Sequence, residues 1–323
     1  MRILITGANG FLGSELVRQA FAEGMSIRAT DCHPRSKFPN VDYYPADILK
    51  PPTMNSLMEG VEVVVHAAGL AHVFKKSQDA ASLFKAVNAE GTANIAEAAT
   101  RARVPNFVLI SSVSVYGDVS QGSKENAPCC PDGPYAESKW QAEQNAIRIA
   151  TASGMGLVIL RLATLYGEGD PGNIARLIKS IDNGRFFWIG WGENKKSLLY
   201  VMDAARACLT VVNSPVPGVN IYNVSAPAST IRDIVETIAH ELKRRIPTLR
   251  IPGSTALGCA KIGKLILGKE SIVGGLYNTL NKWLADNFYS TEKFQHAYGF
   301  KPQVSLEEGL HREVVWDQSK LEG

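Results

Sequence analysis

Two periods of apolar and polar positions alternate along the first half of the chain. The runs RILIT, SIRATD, VEVVVHAAG, NFVLISS and LVILRLATLYG are short and rich in Val, Ile and Leu. Between them lie stretches of helical spacing at 13–23, around 53–58 and at 82–101, and a further one that opens at Pro134. Near-continuous apolar runs suit strands buried on both faces, and strands alternating with helices imply βαβ units in a parallel sheet. The pattern predicts a doubly wound α/β architecture. After Gly167 the alternation weakens. RFFWIGWGENKKSLLYVMDAARACLTVV reads as strand, glycine turn, strand and helix, and NIYNVSAPASTIRDIVETIAHEL as strand, loop and helix. The expected division is a first domain at 1–167 and a smaller α/β carboxy-terminal lobe at 168–323, with segments around 197–220 returning to the first sheet. The stretch 258–282, rich in Gly, Lys, Leu and Ile, reads as a basic amphipathic helix packed over the second lobe, with membrane-surface contact as the minority reading.

Composition narrows the class without naming a chemistry. The chain has 323 residues, 45% hydrophobic and 20% charged, which suits a soluble enzyme with a large core. A net charge of +3 is too mild to suggest nucleic acid. With no secretory signal pattern and no apolar run of membrane-spanning length, a cytoplasmic location without a membrane partner is expected. The five cysteines, Cys32, Cys129, Cys130, Cys208 and Cys259, lack disulfide or zinc spacing, so no metal site is expected.

The first run leads into TGANGFLG. Gly7 permits a tight turn, Gly10 a close backbone approach to a pyrophosphate, and Gly13 close helix packing. Asn9, Phe11 and Leu12 lie in the turn and first helical positions, where free N–H groups and the helix dipole favour phosphate. Asp31, at the end of the second run, suits ribose hydroxyls and repels a 2′-phosphate. NAD is preferred to NADP on that ground, with Arg28 and Arg35 the residues that would favour the phosphate. Asp47 and Ile48 are candidates to flank the adenine, Asp47 reading nearly as well as a turn acid. The small residues Ala67, Ala68 and Gly69 would let a dinucleotide lie against the sheet. Together these features predict a Rossmann doubly wound parallel sheet.

GPYAESKWQAEQ sets Tyr135 and Lys139 four residues apart at the start of a helix, on one face. Taken alone, such a pair is an ordinary surface feature. NFVLISSVSVYGD ends a buried strand in Ser111, Ser112 and Ser114, and ligands in open α/β sheets sit beyond strand carboxyl ends. Glycine triplet, serine strand-end and Tyr-x-x-x-Lys in this order resemble the extended branch of the short-chain dehydrogenase/reductase superfamily, its NAD-dependent epimerase/dehydratase family in particular. The resemblance implies that Tyr135 is the general acid/base and that Lys139 lowers its pKa and holds nicotinamide ribose hydroxyls. It implies that Ser112 hydrogen-bonds the reacting oxygen, with Ser114 a secondary candidate. Asn88, in AVNAEGTANIAEAA, would support the active-site backbone, an ordinary hydrogen bond inside the helix being the alternative. His66 reads as a packed histidine rather than a base, and neither it nor His72 shows metal spacing.

In the extended branch the second lobe commonly holds a nucleotide diphosphate sugar. Arg161 with Tyr166 and Gly167 resembles the family's Arg-Pro-x-Asn-x-Tyr-Gly motif, with Leu162 and Thr164 replacing its proline and asparagine. Lys196 stands where a phosphate-binding arginine is often found, with Lys195 beside it, and Lys282 is the nearest replacement for a second one. Trp188 and Trp191 either line the substrate pocket or pack, and the Phe186, Phe187 and Trp188 cluster could stack a nucleobase or cover a sterol. The substrate-side candidates are therefore Ser112, Ser114, Thr164, Trp188 and Lys196. The expected function is a UDP-sugar 4-epimerase working through a 4-keto intermediate. The alternatives are a nucleotide 4-ketosugar reductase, a hydroxysteroid-type oxidoreductase and a non-enzymatic NAD(P) sensor. A dehydratase is disfavoured, because family dehydratases commonly carry Asp-Glu after the catalytic hydroxyl and this chain has Val113 and Ser114. Resemblance also implies a homodimer.

Overall fold

The computed structural model describes residues 1–54, 56–71, 78–118, 121–267 and 272–320. Seven segments pair in parallel as one sheet: β1 (Arg2–Thr6), β2 (Ser26–Asp31), β3 (Asp42–Pro45), β4 (Val63–His66), β5 (Asn106–Ser112), β6 (Gly156–Leu162) and β7 (Val219–Val224). Their spatial order is β7-β6-β5-β4-β1-β2-β3, so the direction of winding reverses between β1 and β4. At such a reversal the connecting loops diverge and leave a crevice outside the carboxyl ends of the strands.

Helices cover both faces because the central strands are apolar on both. Helices α1 (Phe11–Ala22) and α6 (Val201–Asn213) bury Leu16, Val17, Ala204 and Cys208 against one face. Helices α3 (Gly91–Arg101) and α4 (Pro134–Ser153) bury Ile95, Ala99, Ala146 and Ile149 on the other. Helix α4 starts where its sequence requires. Gly133 sits at φ +90°, Pro134 occupies the first turn, and Gly154 closes the helix in the left-handed conformation.

Some elements differ from the expected ones. The apolar stretch near 53–58 forms two short 3₁₀ turns, Pro51–Met54 and Ser56–Met58, because two prolines open it and few residues separate β3 from β4. The single helix expected at 82–101 is α2 (Gln78–Phe84), a π-helical turn at Lys85–Glu90 and then α3. Strand β3 is short and largely exposed, so its periodicity is weak. Both α6 and β7 belong with the large sheet although they follow residue 167.

The remaining residues build a second core in which α5 (Asn173–Asp182), α7 (Ile231–Glu241) and α11 (Leu306–Ser319) surround Ile178, Trp188, Ile234 and Leu310. Thr230 caps α7 reciprocally with Asp233. The segment expected as one amphipathic helix is a pair, α8 (Gly253–Leu267) and α9 (Ile272–Leu284). The short helix α10 (Glu292–Tyr298) returns to the sheet, its Phe294 against Tyr222 of β7 with ring centroids 5.5 Å apart. No helix among the described residues is long and apolar enough to cross a membrane.

Candidate active site

At the winding reversal, Gly7 leaves β1 with φ +68°, and a Cβ there would stand 2.7 Å from the Ala68 backbone. A Cβ on Gly13 would overlap the Gly7 carbonyl oxygen. Gly10 caps α1 with no side chain over the first turn. Glycines thus keep the start of α1 close to β1 and free of side chains, and its amide groups face the crevice as an anion cradle. These features fit the pyrophosphate of a dinucleotide. Asn9 secures the turn: its N–H donates to Asp31 Oδ2 at 3.1 Å, and its side chain bonds the Arg35 carbonyl and the Lys37 amide. Phe11 and Leu12 open α1, and Leu12 is buried in the core.

Asp31 ends β2 as expected, its second carboxylate oxygen accepting from the His33 N–H at 3.1 Å. The Asp31, Cys32 and His33 side chains bring ligand-type atoms within 4.8 Å of one another, and Cys32 and His33 are exposed. Arg28 is not available to a 2′-phosphate. It is buried, pairs with Asp42 at 3.0 Å and donates to the carbonyls of Ser56, Leu57 and Glu59. Asp47 Oδ1 accepts from the Leu49 amide at 2.9 Å, and Ile48 packs where a Cβ on Gly91 would be 2.6 Å from its Cδ1.

A hydrogen-bonded chain runs behind the loop that follows β4. The Ala68 N–H donates to Thr6 Oγ1 at 3.1 Å, and Thr6 Oγ1 lies 2.7 Å from His66 Nδ1. His66 Nε2 lies 3.1 Å from Thr92 Oγ1, whose hydroxyl donates to the Asn88 carbonyl at 2.5 Å. That sequence of donors assigns a neutral His66 with its proton on Nε2. Burial, with Lys139 opposing a second positive charge, pushes its pKa down to about 3. His66 is a packed histidine, as expected; His72 lies outside the described residues.

Asn88 occupies the π-helical turn and is 1% exposed. Its amide grips Leu70 from both sides, accepting from its N–H at 2.8 Å and donating to its carbonyl at 3.0 Å, and donates to Ser138 Oγ at 2.9 Å. Ser138 Oγ in turn donates to the Tyr135 carbonyl at 2.7 Å. Asn88 therefore ties the 67–70 loop to the first turn of α4, which is more than a local helix bond. Ser138 is a positioning residue that spacing did not single out.

Tyr135, Lys139 and Ser112 converge at the carboxyl end of β5. Ser112 stands close enough to the Tyr135 phenol to oppose the rise in its pKa, and its Oγ accepts from the Ser114 N–H at 3.2 Å. The Phe84 and Tyr135 rings pack edge to face with their centroids 5.8 Å apart. Lys139 Nζ donates to the Ile110 carbonyl at 2.5 Å and faces Gly69, where a Cβ would be 3.9 Å from it. The expected depression of the Tyr135 pKa is absent. Burial raises it and the Ser112 hydrogen bond opposes the rise, while Lys139 is engaged with the end of β5. Burial also pulls Lys139 down to about 8, with the Glu143 carboxylate opposing.

Behind them lies a buried pair. Arg161 Nη2 meets Glu143 Oε2 at 2.7 Å with side chains 2% and 0% exposed. Ser111 Oγ donates to Glu143, Arg161 Nη1 donates to the Tyr116 hydroxyl at 2.9 Å, and Tyr116 donates to Asn223 Oδ1 at 2.8 Å. Arg161 is thus an internal girder between α4, β6 and β7. The visible signal was an arginine within the apolar run LVILRL, which requires a buried partner.

The second-lobe candidates take other places. Trp188 is 3% exposed and packs edge to face with Phe186 at 5.1 Å, inside the lobe core. Lys196 Nζ donates to the carbonyls of Lys282 and Ala285, both at 2.7 Å, at the carboxyl end of α9. Both were expected to face substrate, and close packing and α9's unpaired carbonyls explain the difference. Thr164 is exposed, in a strand paired with Leu198–Tyr200, and the Ser114 hydroxyl is buried without a hydrogen-bond partner among the described residues. Lys282 reaches Asp132, just ahead of α4, at 2.9 Å.

A winding reversal with a glycine cradle, and Ser, Tyr and Lys gathered beside it, defines a dinucleotide-dependent oxidoreductase of the extended short-chain dehydrogenase/reductase type. The family model "NAD dependent epimerase/dehydratase family" matches residues 3–225, and the chain belongs to that family. It is an NAD-dependent enzyme. The chain is similar to an N-acetyl-α-D-glucosaminyl-diphospho-ditrans,octacis-undecaprenol 4-epimerase of Escherichia coli O157:H7, 29% identical, covering 98% of this chain and 95% of the relative. A UDP-glucose 4-epimerase of Vibrio cholerae is 29% identical over 95% and 93%, and a dTDP-glucose 4,6-dehydratase of Streptomyces niveus 31% over 98% and 92%. A solved UDP-glucose 4-epimerase of Thermus thermophilus in complex with NAD shares the fold, with a TM-score of 0.76 at 23% identity over 98% and 99%.

Proposed function

We propose that this enzyme inverts C4 of a sugar carried on a diphosphate, with a nucleoside such as uridine as the carrier. The observation that carries the reading is the convergence of Ser112, Tyr135 and Lys139 beside the glycine cradle, with Val113 and Ser114 following Ser112 in place of two acids. NAD, when bound, supplies the hydride acceptor and returns the hydride. Asn9, Gly10, Phe11 and Leu12 present the cradle for its pyrophosphate, Asp31 the acceptor for its adenosine ribose, and Lys139 the ammonium for its other ribose. Lys139, together with the positive charge of the nicotinamide, would offset the burial that raises the Tyr135 pKa. Tyr135 as phenolate then takes the C4 hydroxyl proton while Ser112 donates to the same oxygen; after the 4-keto sugar rotates and the opposite face of C4 takes the hydride, Tyr135 returns the proton to the C4 oxygen. Two enzymes of this shape paired through their surface helices are the expected assembly.

A second reading keeps the chemistry and changes the carrier to a polyprenol. Two candidate nucleotide contacts, Trp188 and Lys196, are engaged inside the protein, and the Escherichia coli relative acts on such a lipid-linked sugar. The test is NMR of C4 configuration after incubation with NAD and either UDP-N-acetylglucosamine or N-acetylglucosaminyl-diphospho-undecaprenol. The 4-epimer of one donor is expected, and Tyr135→Phe should lower turnover about 10²–10⁴-fold while NAD binding persists. A 4-keto-6-deoxy product, or no inversion of either donor, overturns the reading.

A further inference from the structure

The four most exposed large hydrophobic side chains among the described residues are Leu249 (79%), Trp191 (65%), Ile262 (61%) and Phe187 (55%). Phe187, Trp191 and Leu249 lie on or beside one two-stranded ribbon of the second lobe, and Ile262 lies on the helix that follows it. Strand Trp188–Ile189 pairs in parallel with Arg250–Ile251, with Arg250 opposite Trp188 and Ile251 opposite Ile189. Alternation along this ribbon sends Trp188 to the core and leaves Phe187, Ile189, Leu249 and Ile251 on the outer face. The Arg250 guanidinium stands 5.1 Å from the Trp188 ring and 5.3 Å from the Trp191 ring, and its Nη1 donates to the Trp191 carbonyl at 3.0 Å, so Trp191 is held in place at the edge of this face. Leu284 of α9 seats the helix pair under the ribbon, since a Cβ on Gly190 would be 2.7 Å from it. Helix α8 leaves the ribbon at Gly253 and carries Lys261 and Ile262 roughly 14 Å further along its axis.

The charge on this part of the chain has one sign. From Leu242 to Ile262 there are five bases, Lys243, Arg244, Arg245, Arg250 and Lys261, and no acid, in a chain whose whole net charge is +3. The neighbouring acids Glu193 and Asp182 are paired with Arg232 and Arg244. Isolated exposed apolar residues need no explanation, but this group, with a run of bases of which Arg244 pairs with Asp182 and with a tryptophan at the edge, matches what an anionic bilayer surface takes up. We propose that this face, the outer side of the 187–191 and 249–251 ribbon with α8 as far as Ile262, seats the enzyme peripherally on an anionic lipid surface. The apolar side chains enter the headgroup boundary and the bases remain among the phosphates. The proposal does not depend on which sugar carrier the enzyme uses.

The test is sedimentation of the full-length chain with vesicles of phosphatidylcholine alone or with one-third phosphatidylglycerol, at low and high salt. Strong preference for the anionic vesicles, weakened by salt, is expected. Leu249→Asp with Ile262→Asp should weaken that binding at least tenfold, and Arg245→Glu with Lys261→Glu should abolish the preference for anionic lipid. Melting temperature and NAD binding of both variants should match the parent, which separates loss of docking from loss of fold. Absence of sedimentation, or equal sedimentation with both vesicle types, overturns the proposal. So does a parent dimer that the Leu249 and Ile262 changes convert to monomer without altering vesicle binding, because the face would then be an interface between copies.

Discussion

Glu313 illustrates how burial can outweigh the ordinary chemistry of a residue. Its side chain is 1% exposed, Oε2 accepts from the Gly167 N–H at 2.9 Å and Oε1 has no hydrogen-bond partner. Burial, with Asp170, Glu168 and Asp317 adding negative charge, pushes its pKa up to about 9 from a usual carboxylate value. Between roughly pH 4.5 and 9 the folded protein therefore holds a proton that the unfolded chain releases, so this group's contribution to stability declines as pH rises through that window. Melting followed from pH 5 to 9 should show this decline, and Glu313→Gln, which cannot ionise, should flatten it. Equal slopes in parent and variant would mean that Glu313 is already ionised at neutral pH. Lys139 shifts the other way, to about 8, which leaves it cationic at neutral pH and able to hold ribose hydroxyls beside Tyr135.

At the scale of elements, α4 is anchored at two points in its first half. Ser138 bonds its first turn to Asn88, and Glu143, one turn beyond Lys139, bonds Arg161 of β6. Removing one member of a buried ion pair leaves an uncompensated charge, so Arg161→Met should cost about 3–5 kcal/mol in urea unfolding. Combining it with Glu143→Leu should recover much of that loss, because neither charge is then stranded. A double variant as unstable as Arg161→Met would place the cost in the Tyr116 and Asn223 bonds instead. The helical spacing of Tyr135 and Lys139 was visible in the sequence. The partner of Glu143 was not, because it lies 18 residues away on another strand.

Across the whole molecule, contacts between lobes decide what the second-lobe residues can do. Lys196 and Asn194 hold the carbonyls at the end of α9, Lys282 of that helix meets Asp132, and Asp132 stands shortly before Tyr135. Helix α9 is in this way coupled to the entrance of the active-site helix. Burial pulls the Lys196 pKa down to about 8, with Asp286 opposing. Lys196→Ala should therefore speed limited proteolysis within 253–284 even without substrate, and NAD binding should persist. Unchanged proteolysis combined with a raised KM alone would return Lys196 to a phosphate-binding role.

The sequence by itself determined the alternation of buried strands and helices, the glycine turn and the Tyr-x-x-x-Lys face, because each depends on local period, backbone freedom or spacing within one helix. It also carried the acid at the end of β2 and the asparagine that grips Leu70. Tertiary structure alone decided which side chains remain available. Packing turned Trp188 inward, the bare end of α9 claimed Lys196, three carbonyls and Asp42 claimed Arg28, and burial reversed the direction expected for Tyr135. Those outcomes depend on partners far away in the chain and on desolvation, and neither is encoded in the spacing of neighbouring residues.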